Sequence, residues 1–200
     1  MPIVTEIETG TYRRVDHAIE PMFTRRWSPR AMAGEPVALA ELMQLFEAAR
    51  WAPSSYNGQP WRFLYARRDS PHWQAFFELM IEFNQAWAQQ AGALIVVLSR
   101  RAFEHNGKPN RHHSFDAGAA WQSLALQGVA MGLVVHAMAG FDAEKARRSL
   151  QVPAEYEVEV MIAVGRPGRT EDLPEAIRER EKPSDRKAVA EISCEGRFAL

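Results

Sequence analysis

The sequence predicts an α+β fold of the layered α/β kind, four or five strands flanked by helices, and three observations carry that prediction. Segments with apolar residues at helical spacing alternate with short strand-like segments over most of the chain. Ala93–Ser99 is an apolar run closed by a serine, the pattern of a central strand covered on both faces. The 200 residues are 46% hydrophobic and 24% charged, enough apolar material for one sizeable core, and no internal repeat divides them. One domain over residues 1–200 is expected.

Residues 13–26 place Val15, Ile19, Met22 and Phe23 at helical spacing, a short amphipathic helix interrupted near Pro21. Val37–Trp51 is a clearer helix: Leu39, Leu42, Met43, Leu45, Phe46 and Ala49 keep the period until Ala52-Pro53 stops it. Ser54–Pro60 is dense in turn formers. Trp61–Ala66 reads as a strand, and about Pro71–Gln90 as one helix with a bulky face of Trp73, Phe76, Phe77, Met80 and Phe83. After the Ala93–Ser99 strand, residues 101–113 are polar, carry Asn106-Gly107 and read as an exposed loop. A helix rich in small residues runs from about Ser114 to Met131, capped by Gly132, and leads to a short strand, Leu133–Ala137. Asp142 is suited to cap a helix that ends before Pro153. Tyr156–Val164 alternates and then turns continuously apolar, a strand closed by Gly165-Arg166-Pro167. Residues 168–191 are charged and broken by Pro174 and Pro183; they are expected to run over a surface, within an extended C-terminal arm of residues 168–200.

A net charge of −1 gives no bulk attraction to nucleic acid or membrane, so any cationic cluster has to act locally. Cys194 is the one cysteine; it forms no disulfide framework and reads as a packed side chain in a reducing compartment. The first twenty residues are polar and acidic where a signal peptide needs an apolar run, and the reading is cytoplasmic.

Three polar stretches stand out: Arg25–Arg30, Pro53–Pro60 and Arg178–Lys187. Paired guanidiniums beside a hydroxyl grip a phosphate through charge-assisted, often bidentate bonds, and the first and third stretches offer those groups; solvated surface charge is the alternative for either alone. Ser54, Ser55, Asn57 and Gln59 present short donors and acceptors suited to a polyol or a heteroaromatic edge, or form only a turn.

Ala52-Pro53-Ser54-Ser55-Tyr56-Asn57-Gly58-Gln59-Pro60-Trp61-Arg62-Phe63 resembles the A-P-S-x-x-N-x-Q-P-W-x-F signature of the nitroreductase family. Arg26-Trp27-Ser28-x-Arg30 resembles that family's R-x-S-x-R/K motif, and Asp116-x-Gly118-Ala119-Ala120-x-Gln122-x-Leu124 its small-residue helix at the dimer core. The resemblance covers Arg25 to about Gly196. It implies a mostly antiparallel central sheet flanked by helices, with the C-terminal extension swapped onto the partner of a homodimer whose active sites are composite. It also implies bound FMN, NAD(P)H as a transient co-substrate, and ping-pong hydride transfer to an electron-poor small molecule such as a nitroaromatic or a quinone.

Carried onto this chain, the resemblance implies that Arg26, Ser28 and Arg186 bind the FMN phosphate, with Trp27 presenting its backbone and Arg30 adding charge. Pro53, Ser54, Ser55 and Asn57 would come from the partner subunit to the ribityl and ring region. Asn84 would address the pyrimidine edge, and Ala139 and Gly140 would offer backbone amides near flavin N5, where a donor stabilises the reduced ring. Ser184-Asp185-Arg186 departs from the K-x-R pattern of many relatives. No protein acid or base is demanded, because the flavin carries the hydride.

No G-x-G-x-x-G loop follows a strand, so NAD(P)H would visit the flavin face rather than a Rossmann domain of its own. His105, His112 and His113 with Asp116 match no compact zinc spacing, and no metal is expected. His136 reads as hydrogen-bonded structure. Trp87, Phe103 and Phe115 read as core, with covering a planar substrate as the alternative. Dehalogenation, enone or aldehyde reduction, flavin destruction, and FMN binding without turnover stay open as other uses of the same fold.

Overall fold

The structure is a computed structural model that describes Val4 and residues 7–198. Four strands, β1 (Trp61–Arg67), β2 (Ala93–Arg100), β3 (Val134–Met138) and β4 (Tyr156–Gly165), form one sheet in the order β1-β2-β4-β3, every neighbouring pair antiparallel. The helices are α1 (Pro21–Arg25), α2 (Leu39–Arg50), α3 (Trp73–Phe77), α4 (Glu82–Ala88), α5 (His113–Ala130), α6 (Ala143–Ser149) and α7 (Glu175–Arg178).

Side chains alternate across a strand, so each central strand feeds two cores. On one face Ile95, Val97, Val135, Ile162 and Val164 pack with Leu42 and Leu45 of α2 and Leu124 of α5. On the other, Leu94, Val96 and Met161 pack with Leu79, Trp87 and Ile177. Burying each such side chain contributes about 1.5–3 kcal/mol, which is why the continuous apolar run of β2 takes the centre. The last turn of α5 closes as the sequence predicts: the Gly132 N–H donates to the Val129 carbonyl and the Leu133 N–H to the Gly128 carbonyl, with Gly132 at φ 68°.

The alternation breaks once. Val97 pairs with Val160 but Leu98 with Val158, so Glu159 is an extra residue in β4, a bulge. Val160 belongs to the α2/α5 core and Val158 to the opposite one. The bulge thereby turns Glu159 toward Ser99, His113 and Ser114 on the α5 side.

Four expectations need correction. Pro21 begins a helix rather than interrupting one, because a proline at the first helical position lacks an N–H that would go unpaired anyway, and it holds Glu20 extended. The segment 71–90 is two helices, since residues 79–81 leave helical conformation to pair with the turn after β3: the Ile81 N–H donates to the Gly140 carbonyl and the Asp142 N–H to the Leu79 carbonyl. The stretch after Gly168 does not run wholly over a surface; Leu173 and Ile177 enter the core and Glu181 is buried. Cys194 is exposed, its thiol donating to the Arg197 carbonyl, because residues 184–198 are almost wholly exposed and nothing covers it. Ile192 and Phe198 are likewise exposed and in no strand, and Leu200 lies outside the described residues.

Candidate active site

Segment 26–30 lies along β3. The His136 Nδ1–H donates to the Pro29 carbonyl at 2.8 Å, and the imidazole packs against Trp87 at a tilt of 39°, ring centroids 4.6 Å apart. Burial, the largest effect, pushes His136 down to about 4; the bonds to the Pro29 and Ser28 carbonyls oppose this, and the nearby charges of Arg30 and Arg26 add to it. His136 is therefore neutral at ordinary pH and structural, as the sequence suggests.

Arg26 is half-buried. Its Nη1 donates to the Ser28 hydroxyl at 3.3 Å, and its guanidinium carbon stands 5.8 Å from the Trp121 ring centre. Its pKa is lowered by burial first, then by the charges of Arg13 and Arg186. Arg13 is lowered in turn by burial and by Arg186, with Asp185 opposing. Three guanidiniums are thus held together against their mutual repulsion. Arg13 is the residue that sequence reasoning missed; its Nη1 donates to the carbonyls of Thr24 at 2.5 Å and Arg26 at 2.8 Å, and its Nε to the Ser184 carbonyl at 3.0 Å. It ties the N-terminal segment, α1 and the tail into one cluster. The available signal was the Arg13-Arg14 pair itself.

Arg186 arrives from the same chain's tail, which docks on residues 13–16 through the Arg14 N–H to Asp185 at 3.3 Å and the Val189 N–H to Asp16 at 2.6 Å. Between the two segments lies a cavity of about 600 Å³ lined by Arg13, Arg186, Phe23 and Ile192 among others. Trp27 is buried, and among the described residues neither its N–H nor that of Ser28 meets an acceptor. Arg30 is turned away to Glu181: its Nη1 lies 3.7 Å from Oε2, while the N–H groups of Arg30 and Ala31 donate to Oε1 at 2.6 and 2.9 Å. Burial raises the Glu181 pKa against those partners.

The turn after β3 forms a second element. Asn84 is buried; its amide donates to the Gly140 carbonyl at 2.9 Å and its carbonyl accepts from the Trp87 indole at 3.3 Å. Among the described residues the N–H groups of Ala139 and Gly140 serve no acceptor, so two donors stand open at the turn. A Cβ on Gly140 would lie 2.5 Å from the Asn84 amide nitrogen and 2.8 Å from the Ile81 side chain, so the turn requires glycine.

The loop Pro53–Pro60 stands apart from both elements. Tyr56, Asn57 and Gln59 adopt φ of 51°, 52° and 43°. The Ser55 N–H donates to Asp116 of α5 at 3.1 Å and the Gln59 N–H to the Ser54 hydroxyl at 3.1 Å. Pro53 and Asn57 are exposed. Tyr56, also exposed, meets Phe103 edge-on, ring centres 5.8 Å apart. Of the three aromatics weighed above, Trp87 is core, Phe103 partly covered and Phe115 open at 79% exposure, against expectation, because it sits on the outward face of α5.

Fold and side chains together define a layered α+β protein that carries a cluster of three guanidiniums, Arg13, Arg26 and Arg186, and a turn whose Ala139 and Gly140 N–H groups meet no acceptor among the described residues. The chain belongs to the nitroreductase family, whose description, Nitroreductase family, matches residues 23–166. It is 32% identical over 163 residues to Protein DrgA of Synechocystis, covering 67% of this chain and 75% of that protein. To a Thermus thermophilus protein named NADH dehydrogenase it is 29% identical, covering 72% and 83%. Among solved structures, an oxidoreductase containing FMN is 42% identical and superposes with a TM-score of 0.90 over 94% of this chain and 96% of that one. A putative nitroreductase in complex with FMN from Desulfovibrio desulfuricans, 26% identical, gives 0.69 over 91% and 100%.

Proposed function

We propose that the protein is an NAD(P)H-dependent oxidoreductase that holds FMN and passes hydride to an electron-poor small molecule, a nitroaromatic or quinone, by a ping-pong route. The observation that carries this reading is the cluster of Arg13, Arg26 and Arg186, with the Ser28 hydroxyl bonded to Arg26, which brings three like charges together with no carboxylate bonded to any of the three guanidiniums among the described residues. A phosphate dianion is the group such a donor set fits, and it would relieve the repulsion. The open N–H groups of Ala139 and Gly140 fit a heteroaromatic acceptor atom such as flavin N5, and Asn84 holds their turn in place. FMN, when bound, supplies the hydride chemistry. The protein's part is to grip the phosphate, present the two amides and leave one face open to NAD(P)H and acceptor in turn. The relatives named for NADH dehydrogenase and FMN support both partners.

The active unit in this reading is a homodimer with composite sites. In one chain the loop of Pro53, Ser54, Ser55 and Asn57 lines neither the cavity at Arg13 and Arg186 nor the one beside Trp121, as expected if it serves a second copy. Phe115, Trp51 and Tyr56 are exposed large apolar side chains that such a contact would cover. The tail docks on residues 13–16 of its own chain through Asp185 and Val189, so only the exposed residues 193–198 are assigned to the same interface. No helix among the described residues is long and apolar enough to cross a membrane, and a cytoplasmic place fits the lone cysteine.

Purification decides the cofactor: the protein is expected to be yellow and to release FMN on denaturation. A colourless protein that cannot be reconstituted with FMN refutes the reading. Initial rates with NAD(P)H and acceptor varied together should give parallel lines, and intersecting lines refute the shared face.

A further inference from the structure

The backbone from Arg26 to Ala31 is fastened from several directions at once. The Arg26 N–H closes α1 on the Met22 carbonyl at 3.1 Å, and the Arg26 carbonyl accepts from Arg13 at 2.8 Å. The Pro29 carbonyl accepts from His136 at 2.8 Å and the Ala31 carbonyl from the Gly168 N–H at 3.0 Å. Pro29 has no N–H, and those of Arg30 and Ala31 are taken by Glu181. Only the Trp27 and Ser28 N–H groups of this segment meet no acceptor among the described residues.

Glu181 does this with a single oxygen. The N–H groups of Arg30 and Ala31 converge on its Oε1, at 2.6 and 2.9 Å, the nest arrangement in which successive backbone donors enclose an anion. The nest is filled by the chain's own carboxylate, whose side chain is 0% exposed. A carboxylate so deeply buried persists only where donors and an opposite charge offset its lost hydration. Oε2 has just the Arg30 guanidinium, 3.7 Å away, and the pair cancels in charge, so the carboxylate can fasten a segment that binds an anion without repelling that anion. Glu181 is itself rigidly placed: its N–H donates to the Arg178 carbonyl at 3.0 Å, and Ile177 of α7 is anchored in the core. Pro183 is still buried; from Ser184 onward the chain is exposed, the Ser184 carbonyl accepts from Arg13 at 3.0 Å, and Arg186 follows. One buried side chain therefore fastens segment 26–31 at the point where the tail bearing Arg186 leaves the core.

We propose that Glu181 is a positioning residue for the anion that the arginine cluster holds: as an acceptor it locks segment 26–31 in the shape that leaves the Trp27 and Ser28 N–H groups free, and it registers that segment with the tail that brings Arg186. Its charge serves Arg30; its oxygen serves the segment. Preorganised donors bind an anion tightly because their ordering is complete before the ligand arrives. Without the acceptor, the N–H groups of Arg30 and Ala31 would be buried and unpaired, and the segment would rearrange to satisfy them. That the anion is the phosphate of FMN rests on the reading above.

The test separates the phosphate from the rest of the ligand. The full chain, freed of flavin, is titrated by flavin fluorescence with FMN and with riboflavin, which lacks the phosphate, for wild type, Glu181→Gln and Glu181→Met. Glu181→Gln keeps an acceptor oxygen and loses the charge; Glu181→Met keeps the length and loses both. Wild type should prefer FMN, Glu181→Gln should keep that preference, and Glu181→Met should lose roughly tenfold or more of it, the worth of one hydrogen bond to a charged group, with riboflavin bound as before. Should Glu181→Met not fold, Arg30→Met/Glu181→Met, which also removes the orphaned cation, is compared with Arg30→Met by the same ratio. A wild-type preference in the methionine variant, equal losses for FMN and riboflavin, or a glutamine variant as impaired as the methionine one overturns the proposal. Inorganic phosphate, read by the rise it causes in melting temperature, distinguishes the two readings. If wild type binds neither flavin but phosphate stabilises it and Glu181→Gln and not Glu181→Met, the FMN reading falls and the positioning role stands. If neither flavin nor phosphate acts on wild type, both fall.

Discussion

Replacing Arg26 by methionine keeps the stem against Trp121 and deletes the charge, and the arginine cluster makes the outcome two-sided. In the cofactor-free protein the variant removes a half-buried guanidinium that Arg13 and Arg186 repel, at the cost of one 3.3 Å bond to Ser28. The cofactor-free melting temperature should therefore rise. Affinity for FMN should fall, since losing one charged partner of a phosphate costs about 1.5–3 kcal/mol, roughly ten- to a hundredfold. At an FMN concentration about 100 times the wild-type Kd, bound ligand stabilises wild type by about 2.7 kcal/mol; the same concentration would stabilise the variant by about 1.4 down to about 0.4 kcal/mol. Thermal melts with and without FMN, beside a fluorescence titration of FMN, read both quantities. A variant that loses stability without cofactor, or binds FMN as wild type does, refutes the claim that the cluster is strained for the sake of an anion.

Arg186→Ala should weaken FMN by a similar factor while leaving the cofactor-free melt nearly unchanged, because Arg186 is exposed and bonds only to Ser184 and Asp185; a large loss of fold stability would contradict this. His136 has a folded pKa of about 4 against 6.5 unfolded, so its contribution is whole above about pH 6.5 and is lost as pH falls toward 4, by about 3 kcal/mol. Glu181, raised by burial, works the other way, and His136→Asn, which retains a donor for Pro29, should remove only the histidine's share of the acid loss in denaturant melts across that range. Gly140→Ala should cost about 1–3 kcal/mol by forcing Asn84 and Ile81 from the turn and should loosen FMN as well; a melting temperature equal to wild type would show that the turn is slack. A mass of two chains is expected in solution at low micromolar concentration, with a melting temperature that rises with protein concentration; a stable monomer that retains FMN refutes the composite site.

The four strands and helices α2, α5 and α6 were legible in the sequence because local pattern and tertiary burial agree there: Leu42, Leu45 and Leu124 recur at helical period and all reach the core. The break at residues 79–81 was not legible, because no Gly or Pro marks it and its cause is a partner sixty residues away, Gly140 and Asp142. Arg13 was missed for the same reason. Its role exists only once the chain ends meet, and in sequence it was one more charge beside a helical pattern. Glu181 hid in a charged run, and only its bonds to the N–H groups of Arg30 and Ala31 distinguish it. The Val158-Glu159-Val160 alternation gives no sign of a bulge, since the count of two residues against one becomes visible only when β2 lies alongside.

Places where local rules are broken coincide with the proposed sites. Tyr56, Asn57 and Gln59 are non-glycine residues in the left-handed region within one short loop, each at a cost of order 1 kcal/mol or more. An exposed turn has no folding reason to carry three of them, and glycine at any of the three would be cheaper. The loop is nonetheless held in that shape from both ends, by Ser55 on Asp116 and by Gln59 on Ser54. Three converging guanidiniums are a second such violation. A chain selected for stability alone would have relaxed each of them by one substitution. Their presence in one small protein is explained if each is relieved by something that binds: a phosphate at the arginines and a second subunit over the loop.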